Sequence, residues 1–192
     1  MPFQSFDPPP VSALDHKRRL RAVESLQVLG ATPHRILDDL SEVMARVIRS
    51  DIDFIALSLP RRVTLIGAYN LPAATYACAH RDGNWPPSGI IEHHDLPSQG
   101  WAATHALVNG ETDRLDAIIM AALRHDGQTV GMIGTGSRSP VGAYTEIERA
   151  LLLKLREVAE AALRAEVVLG RLASEAFRAL ERSRDFLGGV AR

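Results

Sequence analysis

Two β-prone runs, residues 116–124 and 129–135, flank Asp126-Gly127, and this pairing limits the fold more than any other feature of the chain. An Asp-Gly dipeptide readily takes the positive φ angles of a type I′ turn, whose twist matches that of two antiparallel strands. With that turn, the expected register sets Leu123 against Val130, Ala121 against Met132 and Met120 against Ile133. Side chains alternate across a strand, so both faces of the hairpin are apolar. A sheet built on it must be covered on both sides.

One cover comes from helices. Leu20, Val23, Leu26 and Leu29 recur at steps of three before Gly30, which predicts a short amphipathic helix with a left-handed C-cap. Thr32 as N-cap and Pro33 at the first position open a second helix, with Ile36, Leu37, Leu40, Val43, Met44, Val47 and Ile48 as one apolar face. Thr145-Glu-Ile-Glu148 is a capping box that begins a third. Along it Leu151, Leu155, Val158, Ala162, Ala165, Leu169, Leu172, Ala176 and Ala179 alternate in steps of four and three, the heptad seam of an association helix. Gly170 lies within the pattern and either divides the helix or weakens it locally.

The other cover must come from residues 70–116. Residues 53–59 and 63–69 read as a second hairpin interrupted by Pro60-Arg61-Arg62. Residues 70–97 hold four prolines and little periodicity, so a long loop with short elements is expected, of the kind that encloses a pocket. Ser98 is placed to cap a short helix through Trp101, Ala102, His105, Ala106 and Val108. Before all of this, Pro8-Pro-Pro10 makes residues 1–13 a flexible arm.

Lys and Arg number 22 against 23 Asp and Glu, so no strong field recruits nucleic acid or an anionic membrane, and neither is expected as a partner. The longest apolar run, Ala117 to Leu123, is too short to span a bilayer. Residues 1–12 lack the basic and apolar segments of a signal peptide, and Cys78 is the single cysteine; a cytoplasmic setting is the expectation.

The order of these pieces resembles the GAF family. The resemblance rests on Leu26-Gln-Val-Leu-Gly30, Leu37-Asp-Asp-Leu40, Ile55-Ala-Leu-Ser-Leu59, the strand from Gly127 to Thr135, and Tyr144-Thr-Glu-Ile-Glu148, and it covers roughly residues 14–165. It implies an α+β fold in which terminal helices cover one face of an antiparallel sheet, while loops and short helices form a pocket on the other. Residues 166–192 are then a C-terminal helical extension. GAF domains bind cyclic nucleotides, haem, bilins, small metabolites or anions, and many only mediate dimerisation; fold alone does not select among these.

Tyr69, Cys78, His80, Trp85, Trp101 and His105 are the pocket candidates. Aromatic rings are scarce at 5% of the chain, and pockets favour rigid rings with one polar atom. Core packing explains each ring individually as well. Cys78 lies in the half of the domain where bilin-binding members attach chromophore through a cysteine, but the family's adjacent Cys-His pair is absent, and a lone cysteine usually behaves as a small hydrophobe. The family's free methionine-R-sulfoxide reductases need a second cysteine to resolve the oxidised one. His80, His93, His94 and His105 match no metal-ligand spacing, and His93 and His94 on an extended strand point to opposite faces. Asp38-Asp39, Asp51 and Asp53 read as solvated carboxylates, and the run from His16 to Arg19 as a solvated helix face.

No nucleophile–base pair or metal box is present, so no enzyme is expected and no catalytic residue or metal ligand is assigned. The expectation is a cytoplasmic GAF-type sensor or regulatory adaptor. It would bind a small molecule of unknown identity, form a homodimer through Leu151, Leu155, Val158, Ala162, Ala165, Leu169 and Leu172, and signal to a separate protein. The alternative is a ligand-free interaction module whose pocket is filled by its own side chains; a haem or metal sensor ranks behind both.

Overall fold

In the computed structural model, which describes residues 13–26, 35–59, 62–72, 75–77, 89–100, 107–111 and 113–190, three helices pack on a six-stranded antiparallel sheet. The helices are α1 (Ala13–Leu26), α2 (Arg35–Ile48) and α3 (Glu146–Val190). The strands are β1 (Ile52–Leu59), β2 (Arg62–Tyr69), β3 (Thr75–Ala77), β4 (Ile90–His93), β5 (Ala117–His125) and β6 (Gln128–Ser137), in the spatial order β3-β2-β1-β6-β5-β4.

The Asp126-Gly127 hairpin forms as expected, with φ of 49° and 72° at its two turn residues. Its register is corrected. Arg124 pairs with Thr129, but Leu123 then pairs with Gly131, Ala121 with Ile133 and Met120 with Gly134. Val130 is the extra residue of a bulge that shifts all later partners by one. The same alternation carries into β1: Ile55 opposes Ile133, and Phe54 opposes Gly134.

Both sheet faces are apolar and both are covered. On one, Ile55, Leu57, Ile119, Leu123, Val130 and Ile133 meet Val23 and Leu26 of α1, Leu37 and Met44 of α2, and Leu152, Ala159 and Leu163 of α3. On the other, Ile52, Phe54, Ala56, Leu65 and Ile118 meet Leu96, Leu107, Val108 and Leu115 from the segment between β4 and β5. The second layer thus comes from the region expected to supply it. Within that region β3 and β4 add edge strands where a loop was read, and a 3₁₀ turn spans Leu96–Ser98. The helix read from Ser98 falls largely on residues 101–106, outside the described residues.

The entry of α3 follows local chemistry, while Gly30, Thr32 and Pro33, read as the cap of α1 and the entry of α2, lie outside the described residues. At α3 the capping box closes: the Glu148 amide donates to Thr145 Oγ1 at 3.2 Å, and the Thr145 amide donates to Glu148 Oε2 at 2.6 Å. From there α3 runs unbroken through Gly170. Only its first half has a sheet beneath it, and Leu163 and Val167 are the last residues packed on the core. The outward face of α2 is corrected too. Leu37, Ser41, Met44, Ala45 and Ile48 are buried, whereas Ile36, Val43 and Val47 are exposed.

Helix α2 lies so close to β2 that a Cβ on Gly67 would sit 2.7 Å from the Leu37 carbonyl oxygen. Asp38 Oδ1 accepts from the Ala68 amide at 2.9 Å and fixes the same contact. In α1, Arg19 donates through Nε to the Thr129 carbonyl and through Nη2 to the Ser58 carbonyl and hydroxyl, each at 3.1 Å. Arg19 is therefore an anchor to β1 and β6, not part of a solvated face.

Candidate functional site

Paired residues on neighbouring strands share a face, so the register sorts the candidate residues. Phe54, Ala68, Met120, Gly134 and Ile118 lie on the face away from the helices. A Cβ on Gly134 would meet both Met120 Cγ and Phe54 Cζ at 2.8 Å, so the missing side chain lets these two groups close over the sheet. Around them Val63, Ala68, Leu71, Met120 and Met132 are only half buried. This apolar wall is the part of the described structure suited to an uncharged ligand surface.

Tyr69 pairs with Asp53 and lies near Arg46 of α2, which puts it on the helix-bearing face, opposite the apolar wall. Cys78, His80, Trp85, Trp101 and His105 lie outside the described residues. His93 pairs with Ile118 and so faces the apolar wall; burial, and then the neighbouring His94, push its pKa down. His94 turns the other way, its ring centroid 5.6 Å from that of Tyr144. The two histidines do take opposite faces. Among the described residues, no three His, Cys, Asp or Glu side chains converge as for a metal ion.

A polar cluster joins β4 to the start of α3. The Arg149 guanidinium holds Glu92 through Nε and Nη2 and Glu146 through Nη1. That hydrogen bonding keeps the Glu92 carboxyl below the usual carboxylate range, against a smaller opposing effect of burial. His94 Nε2 lies 3.7 Å from Glu92, and burial, aided by Glu148 and Glu92, pushes the Tyr144 phenol up to about 12. Because β4 presents His93 to the apolar wall and Glu92 to α3, it touches both layers. Sequence alone did not reveal the cluster, since its members are 57 residues apart at Glu92 and Arg149.

Asp53 corrects a second expectation. It is fully buried between β1 and α2, neither carboxylate oxygen has a hydrogen bond, and the Ser41 hydroxyl opposite it has none either. Burial raises its pKa well above the ordinary range, with Ser41 only partly offsetting this. The signal was present in the alternation: Asp53 sits two and four residues before Ile55 and Leu57, on their face. At the same end of the sheet Arg138 grips Asp113 through two bonds of 2.8 Å and tethers the segment that carries Leu107, Val108 and Leu115.

No family model and no curated protein matches this sequence. Solved structures do. The blue-light-absorbing form of the Thermosynechococcus elongatus PixJ GAF domain aligns with a TM-score of 0.59 at 15% identity, over 86% of this chain and 96% of that one. A domain of a putative two-component sensor histidine kinase from Sinorhizobium meliloti aligns at 0.53 and 12%, over 68% and 89%. A type II free methionine-R-sulfoxide reductase from Thermoplasma acidophilum aligns at 0.51 and 11%, over 73% and 95%. Sensor proteins and an enzyme share this architecture, so the likeness carries the fold and leaves the activity to be argued. With its antiparallel sheet, its helical layer and its second covered face, this chain has the fold of a GAF domain.

Proposed function

We propose that this chain is a cytoplasmic, non-catalytic GAF-type sensor or regulatory adaptor that binds a small molecule on the apolar wall and signals to a separate protein through an α3-mediated homodimer. The observation that carries the reading is the division of α3. Its first half packs on the sheet through Leu152, Ala159 and Leu163, while its second half continues as helix with Leu169, Leu172, Phe177 and Leu180 all more than half exposed. Apolar groups left in water along one helix are stabilised by pairing with another, and coupling follows because the same helix touches both the core and a partner. In this reading residues 14–165 are the sensor domain and residues 166–192 the association segment.

No helix among the described residues is long and apolar enough to cross a membrane. The ligand belongs to the class of largely uncharged molecules, because Val63, Met120 and Met132 present no charge. Native mass spectrometry of the purified full chain tests the reading: a dimer carrying a retained small molecule supports it, and an empty monomer overturns it.

A ligand-free interaction module is the second reading. It is favoured by Phe54, Leu96, Leu107, Val108, Leu115 and Ile118, each no more than 8% exposed, which fill much of the second layer themselves. An empty dimer in the same spectrum selects it.

A further inference from the structure

Among the described residues Asp53 is the only Asp or Glu with no exposed surface, and neither of its carboxylate oxygens has a hydrogen-bond partner. It stands in a row across the helix-bearing face, with Tyr69 of β2 and Thr135 of β6 as its partners in register. Thr135 is bonded to Ser50 and to the Ile52 carbonyl. From above, α2 presents the Ser41 hydroxyl, equally buried and equally unpartnered.

No charge answers the carboxylate. On α2, Arg46 lies near Tyr69 but is held by Glu42 at 2.6 and 3.0 Å, and Asp38 accepts from the Ala68 amide. Asp51, two residues earlier in the chain, accepts from the Arg138 amide and the Ser137 hydroxyl. An ionised carboxylate without a partner is far more costly to bury than a neutral one. The closed arrangement therefore suits the protonated side chain, and only water can satisfy the ionised one.

The neighbours of Asp53 decide which element gives way. Strand β1 is bonded along both edges, to β2 and to β6, so it cannot carry Asp53 to solvent. Helix α2 is held less firmly. Its outer residues Ile36, Val43 and Val47 are exposed, so nothing among the described residues covers that side. It joins β1 through Arg49, whose φ of 59° is left-handed, and Ser50, whose amide returns to the Ala45 carbonyl at 2.9 Å. A few chain positions at an element's end are where a hinge absorbs its rotation. A 14-residue helix freed from its packing is marginal in water, so release of α2 also unwinds it.

We propose that Asp53 and α2 form a proton-controlled latch, in which α2 closes over β1 while Asp53 carries a proton and leaves β1 when the carboxyl ionises. The input is the proton and the output is the position of α2. The latch needs neither a ligand on the apolar wall nor association through α3.

In the open state Asp53 titrates near its ordinary value, about 3.9, so opening grows by up to about tenfold per pH unit above it and levels off once the closed-state carboxyl ionises as well. Native-state amide exchange of the full chain, taken relative to each amide's intrinsic rate, tests this. Protection at Met44, Ala45, Ile48 and the Ala68 amide should fall about tenfold or more between about pH 5 and pH 8. At pH 8 it should lie at least about tenfold below that of Ile119 and Leu123 in β5. In Asp53→Asn the α2 protection should not change with pH. Equal protection in α2 and β5 would mean that α2 leaves the sheet only when the whole domain unfolds, and overturns the latch. A fall with pH that persists in Asp53→Asn overturns it too, since another group would be responsible. Should that variant fail to fold, the carbon-13 shift of the wild-type Asp53 carboxyl decides. Its midpoint should mark the pH above which α2 protection stops falling, and a carboxyl that ionises near pH 3.9 beneath a protected α2 overturns the proposal.

Discussion

Arg149, in the first turn of α3, closes a two-point bridge on Glu92 of the edge strand β4, with Nε 2.5 Å from Oε1 and Nη2 3.1 Å from Oε2. The planar guanidinium fits a carboxylate in this way and lysine does not. A carboxyl held below its ordinary pKa contributes stability above the unfolded value, about 4.3, and loses it as pH falls through the folded value. The wild-type melting temperature should therefore drop more steeply than that of Glu92→Gln between about pH 5 and pH 3. Arg149→Lys should also speed amide exchange in the first turn of α3. Parallel melting curves for wild type and Glu92→Gln would show that the bridge contributes nothing.

Asp53 titrates with the opposite sign. Burial raises its pKa, so the cost of burying it is absent below the unfolded value of about 3.9, grows above that by up to about 1.4 kcal/mol per pH unit, and levels off once pH passes the folded value. Asp53→Asn keeps the shape and cannot ionise. Its melting temperature should exceed that of the wild type at pH 8 and converge with it near pH 4. An equal loss at both pH values would mean that the carboxylate itself is needed.

Gly67 carries the approach of α2 to the sheet. A methyl group there would stand 2.7 Å from the Leu37 carbonyl oxygen and 2.8 Å from Leu37 Cβ, and backbone cannot step aside as a side chain can. Gly67→Ala should cost about 1–3 kcal/mol. Gly134→Ala should cost less, because two of its three nearest neighbours are side-chain atoms of Met120 and Phe54 rather than backbone. Urea denaturation of both variants ranks them, and a smaller loss at Gly67 would contradict the geometry.

Gly170 behaves differently. It is helical, and a Cβ there meets nothing within 4 Å. Gly170→Ala should stabilise the helical extension by about 1 kcal/mol, seen as slower amide exchange through residues 166–175. Unchanged exchange would show that the glycine does not limit the stability of this segment.

Much of this fold could be read from local chemistry. Asp126-Gly127, the Thr145–Glu148 box and the double apolar character of β5 and β6 each act through a few neighbouring residues, and each forms as expected. What escaped the sequence depends on contacts far along the chain. Val130 bulges where Gly131 meets the β1 backbone, so a strict count from the turn misplaces every later pair. Ile36, Val43 and Val47 match the helical period of α2 but face outward, because Gly67 and Asp38 set its rotation. The strands β3 and β4 are three and four residues long, too short to impose a period on a proline-rich stretch. Of the proposed pocket, only Tyr69 falls among the described residues, and the bulge that lets Ile55 face Gly67 and Ala56 face Leu65 places it with Asp53 instead.

The unbroken length of α3 gives the molecule mechanical gain. Held on the sheet as far as Val167, the helix extends roughly 35 Å to Val190, so a tilt of about 5° at the domain end swings the far end by about 3 Å. A rearrangement of side chains too small to alter the core is thereby delivered, at the tip, as a displacement of about two residues' rise along a helix.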